Sequence, residues 1–238
     1  MKILIVSDLH GNADALTALR ERADETWVLG DLVNYGPQPN EVVEWVARNA
    51  THVVRGNHDQ ALGYDQDPRC SPPFRNMAAE MGRYTASVLT AENRRYLRRL
   101  PRQLTLERDG VRFYLCHAVP SDPLYGYCSA ESERWAAELA ATEAEVLLVG
   151  HTHTPFVRVI GGHRVVNPGS LGQPKTGGPE ACYAVWENGA VALRRLAYPW
   201  DETASKLRAA PVGAEVREDL IAVLRTGRPA AREAGHGA

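Results

Sequence analysis

Five times between Lys2 and His153 a short β-rich run stops abruptly at a polar cluster. Asp8 and His10 follow Ile3 to Val6, Gly30-Asp31 follows Trp27 to Leu29, and Gly56-Asn57-His58-Asp59 follows Val53 to Arg55. His117 ends the run around Phe113 to Cys116, and Gly150-His151-Thr152-His153 ends Glu145 to Val149. In open α/β sheets ligands bind at the carboxyl ends of the strands, so these five ends can deliver their polar groups to one crevice. Any fold for this chain has to place them side by side.

Between those runs the pattern is helical over about 12–23 and 39–49, so the first half reads as βαβ units with parallel strands. Phe74, Met77, Met81, Tyr84 and Val88 mark one face of a longer helix, and Thr90 caps the next, which stops at Pro101. The second half changes character. Asp109-Gly110, Gly161-Gly162 and Asn188-Gly189 read as hairpin turns, which add antiparallel pairs. A helix over about 132–141 precedes the Glu145 to Val149 strand, and Asp201 to Thr226 reads as two helices broken at Pro211. The expected class is α/β (α+β mixed), a single domain over residues 1–226 with helices at 201–226. Residues 227–238, rich in Gly, Ala and charge, are expected to be a disordered tail.

Composition narrows the partners. Lys plus Arg is 27 and Asp plus Glu is 29, a net charge of −2 that predicts no broad basic face and no polynucleotide partner. Ile3 to Val6 and Val146 to Val149 are the longest aliphatic runs, far too short to span a bilayer, and no signal peptide is read. Cys70, Cys116, Cys128 and Cys182 lack C-x-x-C spacing, as buried thiols of a cytoplasmic protein would. Of eight histidines, His10, His58, His117, His151 and His153 fall in the strand-end clusters, leaving His52, His163 and His236 to ordinary surface or packing roles.

Carboxylate, imidazole and carboxamide without thiolate form a borderline-hard N/O donor set suited to manganese, iron, zinc or a similar divalent ion. On extended backbone, alternate residues point the same way, so Asp8-x-His10 and His151-x-His153 are each expected to offer two ligands from one strand end. Glycines before Asp31, Asn57 and His151 permit tight backbone geometry.

Asp8-Leu-His10, Gly30-Asp31, Gly56-Asn57-His58-Asp59, His117 and Gly150-His151-Thr152-His153 resemble, in that order, the motifs of the calcineurin-like metallophosphoesterases. Asn167-Pro168-Gly169-Ser170 extends the similarity to bacterial phosphodiesterases of that family. The resemblance implies a four-layer sandwich of two mixed sheets flanked by helices. It also implies a two-metal site in which Asp8, His10 and His153 hold one ion, Asn57, His117 and His151 hold the other, and Asp31 bridges. Manganese is the foremost cofactor expected, with iron, zinc or nickel as alternatives. A hydroxide bridging ions roughly 3.5–4 Å apart would attack phosphorus directly. His58 resembles the family's catalytic histidine, which protonates the leaving oxygen or stabilises the transition state, with Asp59 as its orienting partner or, alternatively, as a cap or turn residue.

Asn12 reads first as a helix cap and second as a phosphate contact, and the arginines at 94, 95, 98 and 99 as a solvated helix face. Tyr125 and Tyr127 either overhang the site and stack a base or simply pack in a loop. Where related protein phosphatases and symmetrical dinucleoside tetraphosphatases carry an arginine shortly after the Gly-Asp pair, this chain has Asn34 and Tyr35. Loss of a bidentate cation disfavours dianionic monoesters more than singly charged diesters. The expected enzyme is therefore a phosphodiesterase of small, possibly cyclic, nucleotides. Phosphomonoesterase, dinucleoside polyphosphatase and a non-catalytic scaffold of the same fold are the alternatives, and a polynucleotide nuclease is a further one. His58 opposes the scaffold, since the retromer subunit of this fold lacks the catalytic histidine.

Overall fold

The computed structural model describes residues 1–230. Two five-stranded mixed sheets pack face to face. The first is built from β1 (Lys2–Val6), β2 (Glu25–Val28), β3 (His52–Val53), β9 (Ala181–Glu187) and β10 (Ala190–Leu196), in the order β10-β9-β1-β2-β3. β1, β2 and β3 run parallel, with Ile5 opposite Trp27, and β9 pairs antiparallel to β1, with Ile5 opposite Ala184. The second sheet orders β4 (Gln103–Arg108), β5 (Val111–Cys116), β6 (Val146–Leu148), β8 (His163–Asn167) and β7 (Phe156–Ile160). There β5, β6 and β8 are parallel, and β4 and β7 are antiparallel edges.

Strand alternation decides the layers. Ile3 and Ile5 point between the sheets, where Trp27, Leu29, Phe113, Leu115, Leu148, Val166 and Trp186 complete a fully buried seam. Leu4, Val6 and Val28 point outward onto α1 (Ala13–Ala18) and α2 (Pro39–Asn49), through Leu16, Val42, Val43 and Val46. On the far side Tyr114, Cys116, Leu147 and Val165 meet Trp135 and Leu139 of α6 (Trp135–Ala140). Each fully buried aliphatic or aromatic side chain contributes roughly 1.5–3 kcal/mol, so the three packed interfaces carry the fold. A separate cluster joins α4 (Arg75–Val88), α7 (Trp200–Ala209) and α8 (Ala214–Thr226) through Met77, Met81, Leu207, Leu220 and Val223.

All three expected hairpins form. Both central residues of each turn have positive φ, as at Asn188 (51°) and Gly189 (77°), the twist that matches the flanking strands. Thr90 caps α5 (Ala91–Arg99), accepting from the Asn93 N–H, and Asn12 caps α1, accepting from Ala15. Two expectations are corrected. The helix expected over 12–23 ends at Ala18, because the chain must extend at Leu19 to enter β2, where Asp24 accepts the Lys2 N–H. The polar cluster at 56–59 opens a helix, α3 (Asn57–Tyr64), that the strand reading did not anticipate. Gly227 closes α8 in the left-handed region, and the Ala230 N–H donates to Asp219. Residues 231–238 lie outside the described residues. Among the described residues no helix is long and apolar enough to cross a membrane.

Candidate metal centre and substrate cleft

The carboxyl ends of β1, β2, β3, β5 and β6 meet at one edge of the sandwich, and the backbone there is not extended. Asp8, His10, Asp31, His151 and His153 all have positive φ, between 44° and 65°. Two ligands per strand end are therefore delivered by left-handed turns rather than by the pleat alternation expected from the sequence. Asp, Asn and His tolerate that region better than most residues. Close approach adds a second constraint: a Cβ on Gly56 would run into the Asp31 carboxylate, and one on Gly150 into Ser7 and Asp8.

The carboxylates are held in parallel fashion. Asp8 accepts the His151 N–H on Oδ2 (3.1 Å) and turns Oδ1 toward Nε2 of His153 (3.2 Å) and of His10 (3.8 Å). Asp31 accepts the His58 N–H on Oδ1 (2.9 Å) and turns Oδ2 toward Nε2 of His117 (3.2 Å) and of His10 (3.7 Å). Asn57 donates to the Pro68 carbonyl, which aims its own Oδ1 at His117 Nε2 (3.0 Å), and His151 Nδ1 lies 3.2 Å from the same nitrogen. All seven residues expected as ligands thus surround one buried point, with Asp31 between its two halves.

Whether this set fits cations is decided by its lone pairs. His10, His117 and His153 each place Nδ1 against a backbone carbonyl, of Val33, Leu29 and Gln173, which fixes the Nδ1–H tautomer and leaves Nε2 facing inward. Burial lowers the pKa of His10 and of His153, so both rings are neutral, and their Nε2 atoms face each other at 3.1 Å. Asp8 Oδ1 beside them is buried without a hydrogen-bond partner. Converging lone pairs and an orphaned carboxylate oxygen have no mutual attraction, and a cation supplies it. Asp8, His10 and His153, and Asp8, Asp31 and His117, each bring three ligand atoms within 4.8 Å of one another. Burial opposes charge on His117, yet Asp31 outweighs it and pushes the ring up to about 10 in the metal-free protein.

His58 stands outside this set, on α3. Asn34 accepts the Tyr35 N–H on Oδ1 (2.7 Å) and donates to the Ala78 carbonyl (3.1 Å), so its remaining N–H faces His58 Nδ1 at 2.9 Å. That contact leaves the proton of the neutral ring on Nε2, which meets the Cys70 thiol at 3.4 Å. Asp59 does not touch the ring. Its carboxylate accepts the N–H groups of Asp31 (2.8 Å), Leu32 (2.8 Å) and Gly56 (3.0 Å), clamping the β2 and β3 ends together. The orienting role expected of Asp59 therefore falls to Asn34. Burial, then the nearby Asp31 charge, push the Asp59 carboxyl up to about 6.

Above the cluster lies a cleft of about 240 Å³ lined by Asp31, Asn57, His58, His151, Tyr125 and Tyr127 together with Arg69, Phe74 and Lys175. Tyr125 and Tyr127 thus line the site, and Asn12 is the helix cap. Arg69 and Lys175 escaped sequence reasoning, because neither belongs to a motif. Their presence also removes a premise: the cleft does hold cations, supplied by loops far from the Gly30-Asp31 segment.

Two mixed sheets that bring carboxylate, imidazole and carboxamide donors from five strand ends to one buried point define a metal-dependent phosphoester hydrolase. The chain belongs to the calcineurin-like phosphoesterase superfamily, whose domain matches residues 1–189. A solved metallophosphoesterase from Sphaerobacter thermophilus is 31% identical, with TM-score 0.79, covering 94% of this chain and 99% of that one. An uncharacterized protein of Methanocaldococcus jannaschii is 28% identical over 212 residues, 78% of this chain and 82% of that protein. A symmetrical bis(5'-nucleosyl)-tetraphosphatase of Vibrio cholerae is 34% identical over 122 residues, 48% of this chain and only 43% of that protein.

Proposed function

We propose that the chain is a binuclear phosphodiesterase of small nucleotide phosphoesters, with Asp8, His10, His153 and Asp31 at one ion and Asn57, His117, His151 and Asp31 at the other. The observation that carries the reading is the inward-facing lone-pair cluster, which is divided by Asp31 and opens into an aromatic-walled cleft. Bound there, divalent ions polarise phosphoryl oxygens and generate a nucleophile at neutral pH, manganese being the foremost choice. The chain's own groups do the rest. Backbone N–H groups of His151 and His58 fix one oxygen of each carboxylate, so that the other is held for the cations. His58, with its N–H on Nε2, can offer that group as a hydrogen bond to the charge developing on the departing ester oxygen, for which Cys70 must yield its place. Tyr125 and Tyr127 offer flat surfaces to a base, and the small cleft suits a small molecule better than a polynucleotide.

Dinucleoside polyphosphate hydrolysis is the second reading, favoured by Arg69 and Lys175 in the cleft and by the similarity to tetraphosphatases. A turnover screen decides between them: linear and cyclic phosphodiesters, dinucleoside polyphosphates and monoesters, each with manganese, iron, zinc and nickel. Diesters turned over fastest support the first reading. Monoesters turned over much faster than diesters overturn it, and no metal-dependent turnover of any ester revives the scaffold alternative.

A further inference from the structure

Two cations on the cleft wall have no ion-pair partner, although the Asp8 and Asp31 charges reach Lys175 from the metal centre. Arg69 and Lys175 both line the cleft, and neither makes an ion pair among the described residues. Each is instead braced on an aromatic ring: the Arg69 guanidinium lies 4.4 Å from the centre of Tyr125, and the Lys175 ammonium 4.3 Å from that of Phe74. Cation–π contact of this kind holds a charge in place without neutralising it. The backbone commits to the arrangement as well. Arg69 adopts a left-handed φ of 56°, with its N–H donating to Asp67 Oδ1 at 2.6 Å. Lys175 sits two residues beyond Gln173, whose carbonyl holds the His153 ring. Burial lowers the Lys175 pKa, the mark of an ammonium group held where its charge is costly.

Charge counting gives these side chains a purpose. Asp8, Asp31 and the attacking hydroxide against two divalent ions would leave −2 − 1 + 4 = +1 at the centre, which a singly charged diester already balances. Arg69 and Lys175 add two positive charges beside it, which a second phosphate group on the same substrate would match. Resting on the phosphoester reading above, we infer that Arg69 and Lys175 form a second anion subsite, and that the substrate class is a nucleotide carrying a further phosphate besides the one attacked. Arg69 offers a bidentate fork to that group, Lys175 a point charge.

The test separates this subsite from the metal centre by working first on chelator-treated protein. Inorganic phosphate and pyrophosphate are titrated calorimetrically into the wild type, R69Q, K175Q and the charge-retaining R69K and K175R. The expected result is pyrophosphate binding about tenfold tighter than phosphate, lost in both glutamine variants and kept in both conservative ones. Equal affinity for the two anions, or a preference that survives R69Q and K175Q, overturns the inference. Turnover by the metal-loaded wild type is scored separately. If the anion preference holds while no phosphoester is cleaved, the subsite stands and the catalytic reading fails; the converse pattern sinks only the subsite.

Discussion

Asn167 provides the sharpest test of how the fold positions the metal centre. At the end of β8 it is fully buried, and all its hydrogen-bonding goes to the loops around the ligands. Its amide nitrogen donates to the Gly150 carbonyl (2.6 Å) and the Thr152 hydroxyl (3.1 Å), and its oxygen accepts the Gly169 N–H (2.8 Å). Asn167→Ala strands the Gly169 N–H, at about 1–3 kcal/mol, and removes a bond of about 0.5–1.5 kcal/mol from the Gly150 carbonyl, which keeps the Thr152 N–H. The void left by the carboxamide adds about 1 kcal/mol more. The expected loss is thus roughly 2.5–5.5 kcal/mol, a fall of about 1–2 M in urea midpoint for the chelator-treated protein. Because the lost bonds tether the segment carrying His151 and His153, metal affinity should fall too, by about tenfold or more. Urea denaturation followed by circular dichroism, with metal titration of the folded variant, measures both. A midpoint within about 0.3 M of wild type together with unchanged metal affinity would refute the claim that Asn167 holds the ligand loop.

Three further outcomes follow from the same geometry. Asp31→Ala should abolish turnover with every divalent ion, and retained activity with any of them contradicts a bridging role. His58→Gln should lower turnover about 10²–10⁴-fold while leaving metal stoichiometry intact, since the ring is not among the inward-facing donors; loss of bound metal would show instead that His58 is a ligand. Metal binding should release about one proton at pH 7.5, because His117, held up to about 10 in the metal-free protein, must give up Nε2–H to become a ligand. Protons and cations compete for that nitrogen, so apparent affinity rises with pH up to about 10. Calorimetry in buffers of different ionisation enthalpy reads the released proton, and none released counts against His117 as a ligand.

The sequence carried the site better than it carried the reasons for it. Glycine, aspartate, asparagine and histidine at strand ends are a local signal, and the seven residues marked as ligands do gather at one point. What pattern reading misjudged was backbone conformation: alternation suggested extended pairs at Asp8-x-His10 and His151-x-His153, yet all four residues turn left-handed. Asp59 shows the same limit from the other side. A carboxylate next to a histidine in sequence suggests a dyad, but α3 points the two in different directions, so Asp59 clamps backbone while Asn34, distant in sequence, reaches the ring. Arg69 and Lys175 left no trace at all, because a cation on a loop becomes informative only when packing shows that no ion pair engages it. Periodicity served the layers well, since one alternating strand such as β1 already assigns Ile3 and Ile5 to one interface and Leu4 and Val6 to another.

Left-handed backbone at five ligands has to be maintained by something, at about 1–2 kcal/mol per residue before the tolerance of Asp and His is allowed for. Either the bound cations hold those turns or the fold does, and the hydrogen bonds favour the fold. Asp8 N–H donates to the Gly30 carbonyl (3.0 Å), His10 N–H to Asp31 (2.9 Å), Gly150 N–H to His117 (2.8 Å) and Gly172 N–H to Asp8 (3.0 Å). These bonds tie each ligand loop to a neighbour without any metal. Removing the ions should therefore leave secondary structure unchanged while restoring the lone-pair repulsion at Asp8, His10 and His153. Metal at a hundredfold excess over its dissociation constant contributes about 2.7 kcal/mol, which for a chain of this size amounts to a Tm increase of roughly 5–10 °C. Far-UV circular dichroism with and without chelator, followed by melting curves across a metal titration, checks both halves. A chelated protein that loses helix and strand signal would mean that the ions build the turns, and a Tm indifferent to metal would mean that the cluster does not bind them.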